Sequence, residues 1–190
     1  MNMTAIKSVK GRRVWDSRGN PTVEVDVVLE NGAMGRAIAP AGASRGTREA
    51  IDLRDGGAAM SGKDVGQALA SVNGVIADAV IGIEVSDQAA VDRAILALDP
   101  SPLKEALGGN ATVATSLAVL HAAAADAQKP LWRHVAEHYG CTPSLPLPEI
   151  QIFGGGAHAG RRVDIQDFMI MVPGARSFDE VMEVTNEVYF

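Results

Sequence analysis

The feature that most constrains this fold is a change of hydrophobic period near residues 60–65. Ahead of it, Val23, Val25 and Val27 alternate with Glu24, Asp26 and Val28, the pattern of a strand with one buried face. Glu30-Asn31-Gly32 follows, and Asn-Gly favours a tight turn because both residues tolerate positive φ. The spacing predicts a returning strand over Met34 to Ala39 and a first strand over Ile6 to Trp15. Beyond Val65 the period becomes helical, with Leu69, Val72, Val75, Ile76, Ala79 and Val80 recurring on one face. Asp87 to Leu98 repeats the pattern through Val91, Ile95 and Leu98, with Ser86 as the expected N-cap. Pro100 and Pro102 end that helix. Asn110 to Gln128 reads as a third, and Lys129-Pro130 separates it from a short helix over Leu131 to His138. The expectation for residues 1–140 is an α+β domain, a three-stranded antiparallel meander followed by helices.

Residues 141–148 hold Pro143, Pro146 and Pro148 and read as an interdomain linker. Residues 149–190 would begin a second domain. Two short apolar runs, Leu147 to Phe153 and Phe168 to Val172, flank a glycine-rich turn, and Ser177-Phe178-Asp179-Glu180 has the form of a capping box opening a helix. Two strands and one helix do not close a sheet, so this second domain is expected to be incomplete, with exposed strand edges.

Charge and cysteine usage exclude several classes. A net charge of −6 opposes nonspecific nucleic-acid binding, which needs a basic face to displace counterions. Cys141 is the only cysteine, so no intrachain disulfide framework exists. The longest apolar stretch, between Val113 and Ala127, is interrupted by Thr115, Ser116, His121 and Asp126 and suits a buried helix, not a membrane span of about 20 apolar residues. Met1 to Lys10 lacks the apolar run of a secretory signal, and the cytoplasm is the expected location.

Three segments carry residue types suited to chemistry. Asp16-Ser17-Arg18-Gly19-Asn20-Pro21-Thr22 is turn chemistry, with Asp16 and Arg18 able to pair, and a structural role is the expectation. Pro40 to Gly46 is a loop whose small residues let backbone groups and the Ser44 hydroxyl approach a ligand closely. Gly154-Gly155-Gly156 places His158 just beyond a strand end, with Gln166 and Asp167 about eight residues further on. An amide beside a carboxylate suits a phosphate-ester substrate, since the amide binds oxygen while the acid positions a proton or a water. The three glycines do not open a helix as a dinucleotide fingerprint would. His134 and His138 share a helix face but have only Glu137 nearby as a further ligand, so a solvated helix end is the expectation there; His121 is expected to be packed or half exposed.

Taken in order, Asp16 to Val25, Pro40 to Gly46, Gly154 to Ala159 and Val163 to Ile170 resemble the enolases. The resemblance implies a cytoplasmic glycolytic lyase. Its reaction would be the reversible dehydration of 2-phospho-D-glycerate to phosphoenolpyruvate, with Mg2+ as cofactor. It further implies a homodimer or higher oligomer when full length, and a C-terminal TIM barrel of which residues 149–190 are the first strands and helix. Its partner would be a small phosphorylated substrate, with no nucleic acid and no membrane. In enolases the loop matching Pro40 to Gly46 closes over the site and its serine contributes to a second magnesium ion, which makes Ser44 the implied metal ligand. His158 and Asp167 take the implied catalytic positions, and His158, Gln166 and Asp167 the substrate-binding ones. These residues, with Ser44, are expected to converge on one cleft.

The resemblance is not complete. The family pattern Ser-Gly-Ala-Ser-Thr-Gly becomes Ala41-Gly42-Ala43-Ser44-Arg45-Gly46 here, Gly154 replaces an asparagine, and Asp167 replaces a glutamate. Shortening that carboxylate by one methylene withdraws it by about 1.5 Å, a displacement on the scale that costs on the order of a hundredfold in rate. The lysines, Lys7, Lys10, Lys63, Lys104 and Lys129, all precede the linker, and the acids after Pro148 do not suggest three converging carboxylates. The resemblance places the metal-binding carboxylates, the catalytic lysines and the general-acid glutamate beyond Phe190, so these 190 residues alone are expected to be inactive. The alternative is a noncatalytic enolase-like binding or structural protein, marked by Ala41, Arg45, Gly154 and Asp167.

Overall fold

The computed structural model describes residues 2–42 and 45–190. The chain forms two compact units, the stretch up to Gly42 with Gly46–Thr142, and Pro143–Phe190.

In the first unit β1 (Ile6–Trp15), β2 (Pro21–Leu29) and β3 (Met34–Ala39) form an antiparallel sheet in the order β1-β2-β3. The Asn31-Gly32 turn closes the β2–β3 hairpin, with the Gly32 amide donating to the Leu29 carbonyl at 3.0 Å. Val23, Val25, Val27 and Leu29 are completely buried, so the alternating face of β2 is the centre of the core. Each such side chain contributes roughly 1.5–3 kcal/mol relative to exposure. The opposite face of the sheet carries charge in place of a second core. Asp26 on β2 receives Arg36 Nε at 2.6 Å and Arg12 Nη1 at 2.5 Å, and Glu24 lies between the same two guanidinium groups. Hydrogen bonds from Arg36 and then Arg12 hold the Asp26 carboxyl down at about 2, against the desolvation that would raise it.

Helices cover the apolar face. The first runs as α1 (Gly66–Ser71), a wide turn (Val72–Ile76) and α2 (Ala77–Val80). Gly74 is non-helical (φ −117°, ψ −106°), and the wide turn keeps Val72, Ile76 and Val80 inward while turning Val75 out, to 51% exposure. The expectation that Val75 shares the buried face is therefore corrected. Within that turn the Asn73 amide accepts from the Gly11 N–H at 2.9 Å and donates to the Gly11 carbonyl at 3.1 Å, which satisfies the backbone donor and acceptor of one residue of the edge strand β1.

Two further helices complete the cover. α3 (Gln88–Leu98) buries Val91 and Ile95, but Leu98 is 38% exposed. Its N-cap is Asp87, which accepts from the Ala90 amide at 2.8 Å, and not Ser86 as expected from sequence. α4 (Gly109–Asp126) lies against β2 and β3 and buries Ala111, Ala114, Ala118, Val119 and Ala122. The approach is close enough that a Cβ on Gly35 of β3 would sit 2.1 Å from the Ala118 carbonyl oxygen. Alanine on the helix and glycine on the strand are what allow it. Between α3 and α4 the buried Asp99 carboxylate accepts from Ser101 Oγ at 2.6 Å and from the amides of Ser101, Ala106 and Leu107. The Ser101 hydroxyl first, then those amides, hold its carboxyl at about 2. α5 (Leu131–His138) follows the Pro130 break.

The second unit contains β4 (Ile150–Gly154), β5 (Asp167–Ile170) and α6 (Phe178–Tyr189). β4 and β5 pair antiparallel as a two-stranded sheet, and no closed barrel is formed among the described residues. Ser177 caps α6 by accepting from the Glu180 amide at 3.1 Å, while the Glu180 carboxylate reaches back to the Arg176 amide at 2.7 Å. None of the described helices is long and apolar enough to cross a membrane.

Candidate functional site

The candidate site begins with the register of β4 on β5, in which Gly154 stands opposite Asp167, Phe153 opposite Phe168 and Gln151 opposite Met169. The Phe153 and Phe168 rings pack 5.5 Å apart and fix that register. It brings the last residue of the first strand beside the first residue of the second, so the glycine-rich turn and the Gln166-Asp167 pair meet at one end of the hairpin.

Backbone hydrogen bonds then knit the connection. The Gly155 amide donates to the Gln166 carbonyl at 2.7 Å, the Gly156 amide to the Val163 carbonyl at 2.8 Å, and the Arg161 amide back to the Gly156 carbonyl at 2.8 Å. A Cβ on Gly155 would lie 2.0 Å from the Ile165 carbonyl oxygen, so only glycine lets the two segments approach this closely. His158 lies on the short 3-10 turn Gly156–Ala159 that follows.

The Asp167 carboxylate is exposed and bracketed by two amides, Gln151 Nε2 at 2.5 Å from Oδ1 and Gln166 Nε2 at 3.3 Å from Oδ2. Sequence reasoning missed Gln151. It stands three positions before Gly154, an odd spacing that in a regular strand puts the two on opposite faces. The register slips between Gln151 and Phe153, and the extra residue returns Gln151 to the face of Asp167. A polar side chain inside the apolar run Leu147 to Phe153 was the only signal.

Ser44 lies outside the described residues. Arg45, next to it, is exposed. The Asp16 to Thr22 segment forms a turn in which Asp16 Oδ1 accepts from the amides of Arg18 and Asn20, both at 2.8 Å. The Asn20 amide, with a smaller contribution from Arg18, lowers the Asp16 pKa. Elsewhere, His121 and His134 are half-buried and His138 is exposed, edge-on to Tyr139. Glu137 pairs with Lys129, which lowers the pKa of its carboxyl. Among the described residues no three His, Cys, Asp or Glu side chains come together to hold a metal ion. A groove of about 310 Å³ between α3 and α4 is lined by Asp92, Leu96, Val113 and Leu117 and by none of the candidate site residues.

One unit is thus an antiparallel meander backed by helices, and the other a strand pair with a capped helix. The sequence matches the family model of the enolase N-terminal domain over residues 6–135, and that of the enolase C-terminal TIM barrel domain over residues 142–190. The chain belongs to the enolase family.

Proposed function

We propose that this chain supplies the capping domain and one edge of the active site of a phosphopyruvate hydratase. That enzyme interconverts 2-phospho-D-glycerate and phosphoenolpyruvate. The observation that best supports the reading is the pairing of Gly154 with Asp167, which puts the His158 turn and the Gln166-Asp167 pair at one hairpin end. The dehydration removes a proton from the carbon next to the substrate carboxylate and expels hydroxyl from the neighbouring carbon as water. In this reading the Gln166 amide donates to a substrate oxygen, and Asp167 positions the proton or water at the departing group. His158 serves substrate binding and proton handling from the turn.

Enolases generally use Mg2+, which when bound neutralises charge developing on the substrate. Ser44 would lend it a hydroxyl. Among the described residues no three His, Cys, Asp or Glu side chains meet, so further ligands would come from outside them. A glycolytic role, a cytoplasmic location and assembly as a homodimer or higher oligomer belong to the same proposal.

The test is phosphoenolpyruvate formation from 2-phosphoglycerate and Mg2+. It is measured for these 190 residues alone and for the chain extended through a complete enolase barrel. Turnover by the extended protein and none by the 190 residues is expected. Absence of product from a folded extended protein at saturating Mg2+ would make a noncatalytic enolase-like role the better account. Product from the 190 residues above a His158→Ala control would show that the chemistry has been placed on the wrong groups.

A further inference from the structure

We propose that the groove between α3 and α4 binds a small organic ammonium, a primary amine on an apolar body about one helical turn long, with Asp92 as its anchor. α3 offers Asp92, Ile95 and Leu96 at positions i, i+3 and i+4, and α4 offers Val113, Ser116 and Leu117 at the same spacing. Each helix thus gives the groove one polar and two apolar side chains. Ile95 is buried, whereas Leu96, Val113 and Leu117 stay exposed around a space of about 310 Å³. That volume lies at the lower end of the range for small-ligand sites, and an apolar lining with a few polar groups is their usual composition. The lining spans roughly 6–8 Å along each helix, which is too short to seat a partner helix through successive turns and suits a single compact ligand.

Hydrogen-bond accounting at the polar end decides the ligand's chemistry. Ser116 Oγ donates to Asp92 Oδ1 at 2.7 Å. Gln88 Nε2 donates to the same carboxylate oxygen at 3.1 Å, to Ser116 Oγ at 3.1 Å and to the Ser116 carbonyl at 3.2 Å. The Thr112 hydroxyl turns back to the Gly109 carbonyl of its own helix at 3.2 Å. Every side-chain donor here is therefore spent, while acceptors are left over. Gln88 Oε1 is buried without a partner, and among the described residues nothing donates to Asp92 Oδ2. No basic side chain lines the groove, so the half-buried carboxylate has no counter-charge there. A ligand must bring both donors and positive charge, and an ammonium brings three N–H groups with its charge. The bonds from Gln88 and Ser116 fix Oδ1 and leave Oδ2 to receive it. None of this uses the enolase reading.

Three probes of one shape test the proposal on the 190-residue chain: phenethylammonium, 2-phenylethanol and 3-phenylpropanoate. Each is titrated while the methyl resonances of Val113 and Leu117 are followed, with those of Val25 in the core as the control. Phenethylammonium should shift the groove methyls saturably with a Kd on the order of 1 mM, the affinity that about nine non-hydrogen atoms supply at ordinary efficiency. The alcohol should bind about tenfold more weakly, the scale of one hydrogen bond to a charged group, and the carboxylate more weakly still. Asp92→Asn keeps an oxygen for Ser116 and Gln88 but removes the charge. It should bring the amine to the level of the alcohol and leave the alcohol within about twofold. No saturable shift with the amine, equal binding of amine and alcohol, or unchanged amine affinity in Asp92→Asn overturns the proposal. The comparison of amine and alcohol on the unaltered chain stands even if Asp92→Asn does not fold. Loss of amine binding by the chain extended through a complete enolase barrel would also overturn it, since the groove would then be a packing face. Failure of the enolase reading would appear only in turnover of 2-phosphoglycerate, so the two outcomes stay separate.

Discussion

Replacing Gly155 by alanine should separate the two halves of the candidate site. The added Cβ would lie 2.0 Å from the Ile165 carbonyl oxygen, where ordinary contact begins near 3.4 Å, so the segments must part by about 1.4 Å (3.4 − 2.0). The obstacle is backbone and cannot rotate away. That displacement breaks or stretches the bonds from the Gly155 amide to Gln166 and from the Gly156 amide to Val163, now 2.7 and 2.8 Å. At about 0.5–1.5 kcal/mol each, the local loss is about 1–3 kcal/mol, enough to raise hydrogen exchange at residues 155 and 156 roughly 5- to 150-fold. Gly154→Ala is the control. Its Cβ would meet only the amide end of Gln151 at 3.1 Å, which can move aside at the expense of its own bond to Asp167 while the backbone of the connection stays in place. In a catalytically complete protein a shift of this size should lower turnover on the order of a hundredfold for Gly155→Ala and far less for Gly154→Ala. Exchange rates at residues 155 and 156 that are unchanged in Gly155→Ala, or equally raised in Gly154→Ala, would refute the reasoning.

Other predictions address the first unit and the family departures. Gly35→Ala drives a Cβ into the α4 backbone at Ala118 and Ala122, and overpacking of this kind should cost about 1–3 kcal/mol, a fall in melting temperature of roughly 3–10 °C by calorimetry. Asp26 and Asp99 have folded pKa values of about 2, below the ordinary 3.8, so their stabilisation is complete above about pH 4 and is lost as pH falls towards 2. Denaturant midpoints should fall across that window, and Asp99→Asn should flatten the fall; a midpoint independent of pH there would contradict the assignment. Restoring the family residues with Arg45→Thr and Asp167→Glu should leave the melting temperature nearly unchanged and raise the turnover of an extended protein on 2-phosphoglycerate. A drop of several degrees would instead place those side chains in the fold.

The parts of the fold that were legible in the sequence are those set by local rules. β1 and β3 fall on Ile6–Trp15 and Met34–Ala39 as the period-2 pattern and the Asn31-Gly32 turn require. Leu131–His138 is helical over the whole span between Pro130 and the Tyr139-Gly140 end. The misses are places where one residue more or less changes a face. The wide turn at Val72–Ile76 takes an extra residue and puts Val75 outside, and a pattern counted at 3.6 residues per turn has no means of anticipating that. Ser86 and Asp87 are both good caps, and the choice between them depends on where the chain leaves Val85, which is tertiary information.

The same limit applies to the site. The glycines, His158, Gln166 and Asp167 stood out by residue type, but the role of Gln151 depended on a bulge in β4 that no spacing rule reveals. The Asp16 to Thr22 turn read as purely local, whereas Arg18 reaches 23 residues further to Ala41.

The most direct test of the central claim is the turnover of 2-phosphoglycerate by the extended protein carrying His158→Ala or Asp167→Asn, compared with the unaltered sequence at saturating Mg2+. If the hairpin end is a working edge of the site, each substitution lowers kcat by about 10²- to 10⁴-fold, the range of a lost acid–base group, while the circular dichroism spectrum and melting temperature stay the same. Turnover within about twofold of the unaltered protein for both variants would contradict the account and place the chemistry elsewhere.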